Sequence, residues 1–166
     1  DHITSLLSVK GPGGSELWAG TMRGLAKRLP SGRWQTVFAT LGLSDQRILC
    51  LQDGLDAQGA PVLWAGTEKG LLRLGREGQT FLTEKEGLPD HRVYSLSRTL
   101  DPDGRESIWI GTRGGGIGRL KGGQWTHYRE AEGLRNLSVF CFRETRTQDG
   151  KRWLWAGTFG GGAFRL

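Results

Sequence analysis

One five-residue phrase occurs four times in this chain at nearly constant spacing. Leu17-Trp18-Ala19-Gly20-Thr21 returns as Leu63-Trp64-Ala65-Gly66-Thr67, then Ile108-Trp109-Ile110-Gly111-Thr112 and Leu154-Trp155-Ala156-Gly157-Thr158, with Trp-to-Trp intervals of 46, 45 and 46 residues. A unit of that length cannot bury its own apolar face and must stack on its neighbours, so the period constrains the architecture before any other feature does. Other positions keep the same register. Gly24, Gly70, Gly115 and Gly161 each follow the phrase by three residues, and Arg28-Leu29, Arg73-Leu74, Arg119-Leu120 and Arg165-Leu166 follow in turn.

Each unit reads as four short strands. The first is an apolar run, Ile3–Leu7, Ile48–Leu51, Val93–Leu96 and Val139–Phe142, whose β-branched and aromatic content predicts a strand buried on both faces. A loop such as Leu100–Ser107 leads to the tryptophan strand, where bulk alternates with Ala and Gly so that facing layers interdigitate. The glycine after the phrase suits a tight turn into the third strand. A more polar fourth strand is expected at Arg33–Phe38, Gln79–Leu82 and Gln124–Tyr128, followed by a link carrying Gly42-Leu43, Gly87-Leu88 or Gly133-Leu134. Amphipathic helical spacing is absent, which excludes a helical solenoid. The reading is all-β: blades of four antiparallel strands of β-propeller type in one domain, with blades near 1–41, 42–86, 87–132 and 133–166 and the last lacking its fourth strand.

The phrase, with its following Gly-Leu and Arg-Leu pairs and the passage Gly87-Leu88-Pro89-Asp90-His91-Arg92-Val93, resembles the two-component regulator propeller repeat. The resemblance spans the chain and implies a non-enzymatic ligand-sensing part of a bacterial signalling protein. It also implies a periplasmic or extracellular location and a carbohydrate or small anionic ligand. Rings of that family usually hold seven blades, so this chain departs from the pattern. An excerpt of a longer sensor, a half-ring that completes itself with a second copy or with other propeller blades, and a small closed four-bladed ring are the three readings. An assembly scaffold is the alternative function, and a propeller lyase or hydrolase ranks third.

Composition narrows the partners. Lys and Arg exceed Asp and Glu by six, which raises a polyanionic partner: nucleic acid, anionic lipid or acidic glycan. The basic residues are scattered over all units without a block, so a solvated surface is the favoured reading and no nucleic-acid partner is expected. No apolar run approaches a membrane span, so no direct insertion of this segment is expected. Cys50 and Cys141 occupy one repeat position, shared with Ser5 and Ser95. Units two apart hold them too far from each other to bond, and both are expected as free thiols.

Candidate ligand residues follow from the register. Loops between strands two and three, and those joining units, should share one end of the blades. They supply Met22, Arg23, Glu68, Lys69, Arg113 and Phe159, with Asp45, Arg47, Asp90, His91, Arg92, Arg135 and Asn136. Arg23, Lys69, Arg113, His91, Arg92, Arg47 and Phe159 are the ligand-binding candidates, the arginines because their planar fork matches a carboxylate or sulfate. The Arg-Leu arginines repeat at one strand position and read as structural, packed on tryptophan rings. Gly114–Gly118 lacks the Lys and the helix of a phosphate loop, and Asp101–Gly104 lacks the remaining ligands of a calcium loop. His2, His91 and His127 show no metal-ligand spacing, and no nucleophile–base arrangement stands out. Neither cofactor, metal nor catalytic residue is expected. Trp34 and Trp125 read as packing residues, and Trp153 has no counterpart in the other units.

Overall fold

The computed structural model describes residues 2–11, 14–37, 46–56 and 58–166. The link Gly42-Leu43, the candidate Asp45 and the end of the first expected fourth strand lie outside them. The described residues form four separate antiparallel sheets in chain order. The first holds β1 (Ile3–Gly11), β2 (Gly14–Thr21), β3 (Gly24–Arg28) and β4 (Trp34–Thr36). The second holds β5 (Ile48–Leu55), β6 (Pro61–Thr67), β7 (Leu71–Gly75) and β8 (Gly78–Leu82). The third is β9 (Val93–Leu100), β10 (Glu106–Thr112), β11 (Ile117–Lys121) and β12 (Gln124–Tyr128). The last has three strands, β13 (Val139–Arg146), β14 (Arg152–Thr158) and β15 (Gly162–Arg165). Each strand pairs with its sequence neighbour, which gives the meander expected of a blade, and the last blade is incomplete as expected.

Sheets stack through successive first strands, β1 on β5, β5 on β9 and β9 on β13. Three apolar clusters fill the three junctions. Trp18 and Leu25 meet Ile48, Leu51, Ala65 and Leu72. Trp64 and Leu71 meet Val93, Leu96, Ile108 and Ile110. Trp109 and Ile117 meet Val139, Phe142, Leu154 and Ala156. Trp18, Trp64 and Trp109 thus face the following sheet, and Leu63, Ala65, Leu154 and Ala156 face the preceding one.

Burial follows from this stacking and corrects the expectation for the first strands. They are longer than the apolar runs and alternate between covered and exposed positions, with β13 mostly exposed. The second strand is the buried one: β6 and β10 are covered from Val62 to Thr67 and from Ser107 to Thr112. It has a strand on each side within its sheet and, in the middle blades, a sheet against each face. The longer strands shorten the expected loop at 100–107 to a turn between Leu100 and Glu106.

Two details escaped the pattern. The links before β9 and β13 carry 3₁₀ turns at Glu84–Glu86 and Glu130–Glu132, ended by Gly87 and Gly133 in the left-handed region. The Glu86 carboxylate accepts from the Thr83 N–H at 2.7 Å, satisfying a free donor at the turn's start. In the first sheet, Lys27 rather than Arg28 sits opposite Trp18, as Arg73 does opposite Trp64 and Arg119 opposite Trp109. Those cations lie 5.4, 6.0 and 5.0 Å from the ring centres, so their packing role holds with Lys27 in place of Arg28. Arg165 stacks at 4.3 Å on Trp153, which gives that unmatched tryptophan a partner.

Candidate functional site

The turns between second and third strands and the lead-in segments before each first strand meet at one end of the sheets. Pairing dictates it: Thr21, Thr67, Thr112 and Thr158, which end the second strands, lie opposite Ile3, Ile48, Val93 and Val139. Buried Thr67 and Thr112 fix their turns by donating through Oγ1 to Gly70 O and Gly116 O. A backbone ladder continues past the strands, with the Arg113 N–H donating to Arg92 O at 3.0 Å and the Phe159 N–H to Ser138 O at 2.9 Å. The Ser138 hydroxyl donates to Arg113 O and ties the third sheet's turn to the fourth sheet's lead-in.

Register slips at every first strand, between Ile3 and Ser5, Ile48 and Cys50, Val93 and Ser95, and Val139 and Cys141. A bulge re-aims the side chain it carries. The bulge residues are Thr4, Leu49, Tyr94 and Phe140. Tyr94 and Phe140 stack across the junction with ring centres 4.8 Å apart and planes at 26°. Phe159, on the turn of the last sheet, brings its ring to 5.9 Å from Phe140. Phe140 is 48% exposed and Phe159 72% exposed, so this is an aromatic surface open to solvent and not a core.

The seven candidate residues all lie on this end, but in different states. Arg113 is exposed, and its backbone carbonyl accepts from the hydroxyl of Ser138, whose own carbonyl holds the Phe159 N–H. Arg92 lies beside it, its Nε 3.6 Å from Asp90 Oδ1, an ion-pair distance too long for a hydrogen bond. Arg47 is tied to Glu68 at 3.1 Å with both side chains about half exposed. His91 is held twice by Glu84, through its N–H at 2.8 Å and through Nδ1 at 2.9 Å, which locks the link to β9. Hydrogen bonds from the Glu84 backbone and from His91 hold the Glu84 carboxyl below the ordinary carboxylate range. Lys69 and Arg23 are exposed on the turns of the second and first sheets. The structure therefore gathers Arg92, Arg113 and Phe159 into one patch, and places Arg23, Arg47 and Lys69 on the turns and lead-ins of the earlier sheets. Tyr94 and Phe140, the centre of that patch, were read from sequence as strand core. The signal for them is the bulge position, one residue after the β-branched opener and one before Ser or Cys.

Other features lie away from this end. An apolar cleft of about 650 Å³ between the first two sheets is lined by Val9, Trp18, Val37, Pro61 and Leu74. The basic residues Arg119 and Lys121 are committed to Asp101, at 2.6 and 2.8 Å, and Lys121 also to Asp103 at 2.8 Å. Desolvation opposes the charged form of Asp101, yet bonds from Lys121, Ser107 and Arg119 outweigh it and lower its pKa. Bonds from Lys121 and the Arg105 backbone hold Asp103 at about 2. Both cysteines are free, and burial pushes the Cys50 thiol up to about 12. Among the described residues no group of three or more His, Cys, Asp or Glu is placed to hold a metal ion. Among the described residues no helix is long and apolar enough to cross a membrane.

No protein-family model matches the sequence, and no curated protein matches it. Solved structures do. The chain is similar to the extracellular domain of the candidate hybrid two-component system BT3049 from B. thetaiotaomicron, with a TM-score of 0.71 and 22% identity over 98% of this chain. A second likeness is to the extracellular domain of BT4673 from the same organism, with a TM-score of 0.66 and 20% identity over 98% of the chain. The chain spans 21% of the length of each of these. At such identities the likeness establishes the fold.

Proposed function

We propose that this chain is a non-enzymatic ligand-sensing module from the periplasmic or extracellular part of a bacterial two-component-type signalling protein. Its ligand is a carbohydrate carrying an acidic group. The observation that carries the reading is the open aromatic surface of Tyr94, Phe140 and Phe159, with Arg113 and Arg92 on the turn and lead-in whose backbones are bonded to each other and to Ser138. Aromatic faces accept the apolar face of a sugar ring, and an arginine fork beside them takes a carboxylate or sulfate. The similar solved structures, extracellular domains of two-component systems, support the signalling context. The rigid stack of sheets holds the patch fixed, and a signal follows when the ligand prefers one packing of this module on its neighbours over another.

Calorimetric titration with uronic-acid and sulfated oligosaccharides, beside their neutral counterparts, tests this. Acidic sugars should bind and neutral ones bind at least tenfold more weakly, about 1.4 kcal/mol. Phe159→Ala and Arg113→Ala should each cost about tenfold, whereas Lys69→Ala should cost little. Equal binding of neutral and acidic sugars, or loss only on Lys69→Ala, contradicts the assignment.

A further inference from the structure

The residue two places before the tryptophan phrase bridges two of the three junctions between sheets, at the end of the strands far from the aromatic patch. In the second junction it is Glu106, the first residue of β10. Its Oε2 accepts from the N–H of Leu55, at the end of β5, at 2.7 Å, and its Oε1 meets Arg98 at 2.9 Å. Trp64 stands beside that carboxylate: a Cβ added to Gly54 would lie 3.0 Å from Trp64 Nε1 and 3.4 Å from Glu106 Oε2. In the third junction the residue is Arg152, which donates to Leu100 O. In the first junction it is Pro61, whose ring can neither donate nor accept.

The cleft of about 650 Å³ opens at that unbridged place, and pockets of about 300–1,000 Å³ suit small ligands. Val9, Trp18, Val62 and Leu74 give it apolar walls. The polar groups it adds are donors that the chain leaves unmatched. By the pairing of Lys10 with Ser15 and of Leu55 with Pro61, the Lys10 N–H is the counterpart of the Leu55 N–H, and with Pro61 in the place of Glu106 it meets no carboxylate. The indole N–H groups of Trp109 and Trp155 donate to Thr99 and Thr145 at 2.8 and 2.9 Å, but the equivalent residue beside Trp18 is Val9, which offers no acceptor. Arg76 is exposed at the mouth and has no ion-pair partner among the described residues. The acid on the walls, Glu16, is already paired with Lys27 at 2.7 Å.

We propose that this cleft binds a small apolar acid. Its carboxylate takes the slot that Glu106 fills one junction along, and its hydrocarbon body lies on Trp18, Val62 and Leu74. The second junction supplies the template: the corresponding backbone donor, the corresponding tryptophan and a carboxylate between them. In the first junction the carboxylate has to come from outside, and the cation beside it is Arg76 instead of Arg98. An ionised acceptor strengthens both the bond from Lys10 N–H and the bond from the guanidinium. The site is separate from the sugar-binding patch, since Pro61 and Arg76 stand at the opposite ends of their strands from Thr67 and Leu71.

Calorimetric titration of the chain with octanoate and with octanol tests the proposal. Octanoate should bind about tenfold more tightly than octanol or better, and Arg76→Ala should weaken octanoate about fivefold, because only the ion completes the charge-assisted bonds. Pro61→Glu, at an exposed position, puts a carboxylate of the chain into the slot and should abolish binding. Pro61→Ala leaves the slot empty and should bind as the wild type does, as should Phe159→Ala and Arg113→Ala. In nuclear magnetic resonance spectra the Trp18 indole N–H signal should move on adding octanoate, while those of Trp109 and Trp155 stay. Circular dichroism checks that the sheets of each variant are intact. Equal affinity for octanol and octanoate, undiminished binding in Pro61→Glu, loss of binding in Pro61→Ala or Phe159→Ala, an unmoved Trp18 signal, or no binding at millimolar octanoate would each overturn the proposal.

Discussion

The junction between the second and third sheets and the open face of the fourth sheet present the same residue types in the same register, yet they differ in everything that depends on cover. Trp64 and Trp109 are 6% and 7% exposed, while Trp155 lies outside the apolar clusters. Cys50 is partly covered, with desolvation pushing its thiol up to about 12, and Cys141 is exposed. The difference teaches that the repeated phrase does not carry burial in itself. It carries one half of a contact, and the next unit's opening residues supply the other.

The comparison is sharpest in the tryptophans. Trp109→Ala, which empties a filled junction, should cost about 3–5 kcal/mol in denaturant unfolding, and Trp155→Ala should cost less than half of that. Equal losses would mean that the ring is held within its own sheet and not by the next one.

Filling the glycines breaks the comparison from the other side. An Ala Cβ at Gly66 meets Val93 Cγ1 at 2.6 Å and the Val93 carbonyl at 2.8 Å, neither of which can yield, whereas at Gly157 it meets only the Cys141 thiol at 2.6 Å. Gly66→Ala should therefore destabilise by about 1–3 kcal/mol and Gly157→Ala by well under 1 kcal/mol. Thermal melts of the pair give the answer.

Much of this was legible in the sequence, and the limits have physical causes. The tryptophan phrase, its turn glycine and the polar fourth strand announce themselves because a fixed period averages out local ambiguity. The register of Lys27 was hidden because Arg28 follows Trp18 at the same spacing as Arg119 follows Trp109, while the turn from Gly20 to Leu25 is one residue shorter than that from Gly111 to Ile117, so Arg28-Leu29 falls one step late. The 3₁₀ turns at 84–86 and 130–132 are too short to show a period. Trp125 packs over Gly87, where a Cβ would stand 2.5 Å from its ring, but Trp34, read the same way, is 47% exposed. At the site, Arg92, Arg113 and Phe159 were found by their place on loops. Tyr94 and Phe140 were missed because a bulge reverses the direction that strand alternation assigns. His91 was chosen for its chemistry, and the Glu84 carboxylate that holds it lies seven residues away across a turn.

Thiol chemistry separates the two faces with less perturbation. Only the thiolate reacts, and desolvation keeps Cys50 protonated, so iodoacetamide should modify Cys141 at least 100-fold faster than Cys50. Comparable rates would place both cysteines in similar surroundings.

The smallest effect concerns acid. Asp103 is held at about 2 in the folded chain against an ordinary 3.8, so its contribution is present above pH 3.8 and lost as the pH falls toward 2. Asp101, also lowered, acts in the same direction. Asp103→Asn should flatten the fall in melting temperature between pH 4 and 2 and change little at pH 7, as suits an exposed pair. An unchanged acid slope would show that Lys121 does not hold Asp103 in solution.

Amide hydrogen exchange of the chain tests the stacking itself most directly. β6, β10 and β14 each have a hydrogen-bonded strand on both sides within their sheets, and they differ in whether one face or two are covered by a neighbouring sheet. Stacking predicts that β6 and β10 exchange slowest, near the global unfolding limit, and that β14 exchanges measurably faster. Equal protection of all three strands, or β14 as the slowest, would contradict it.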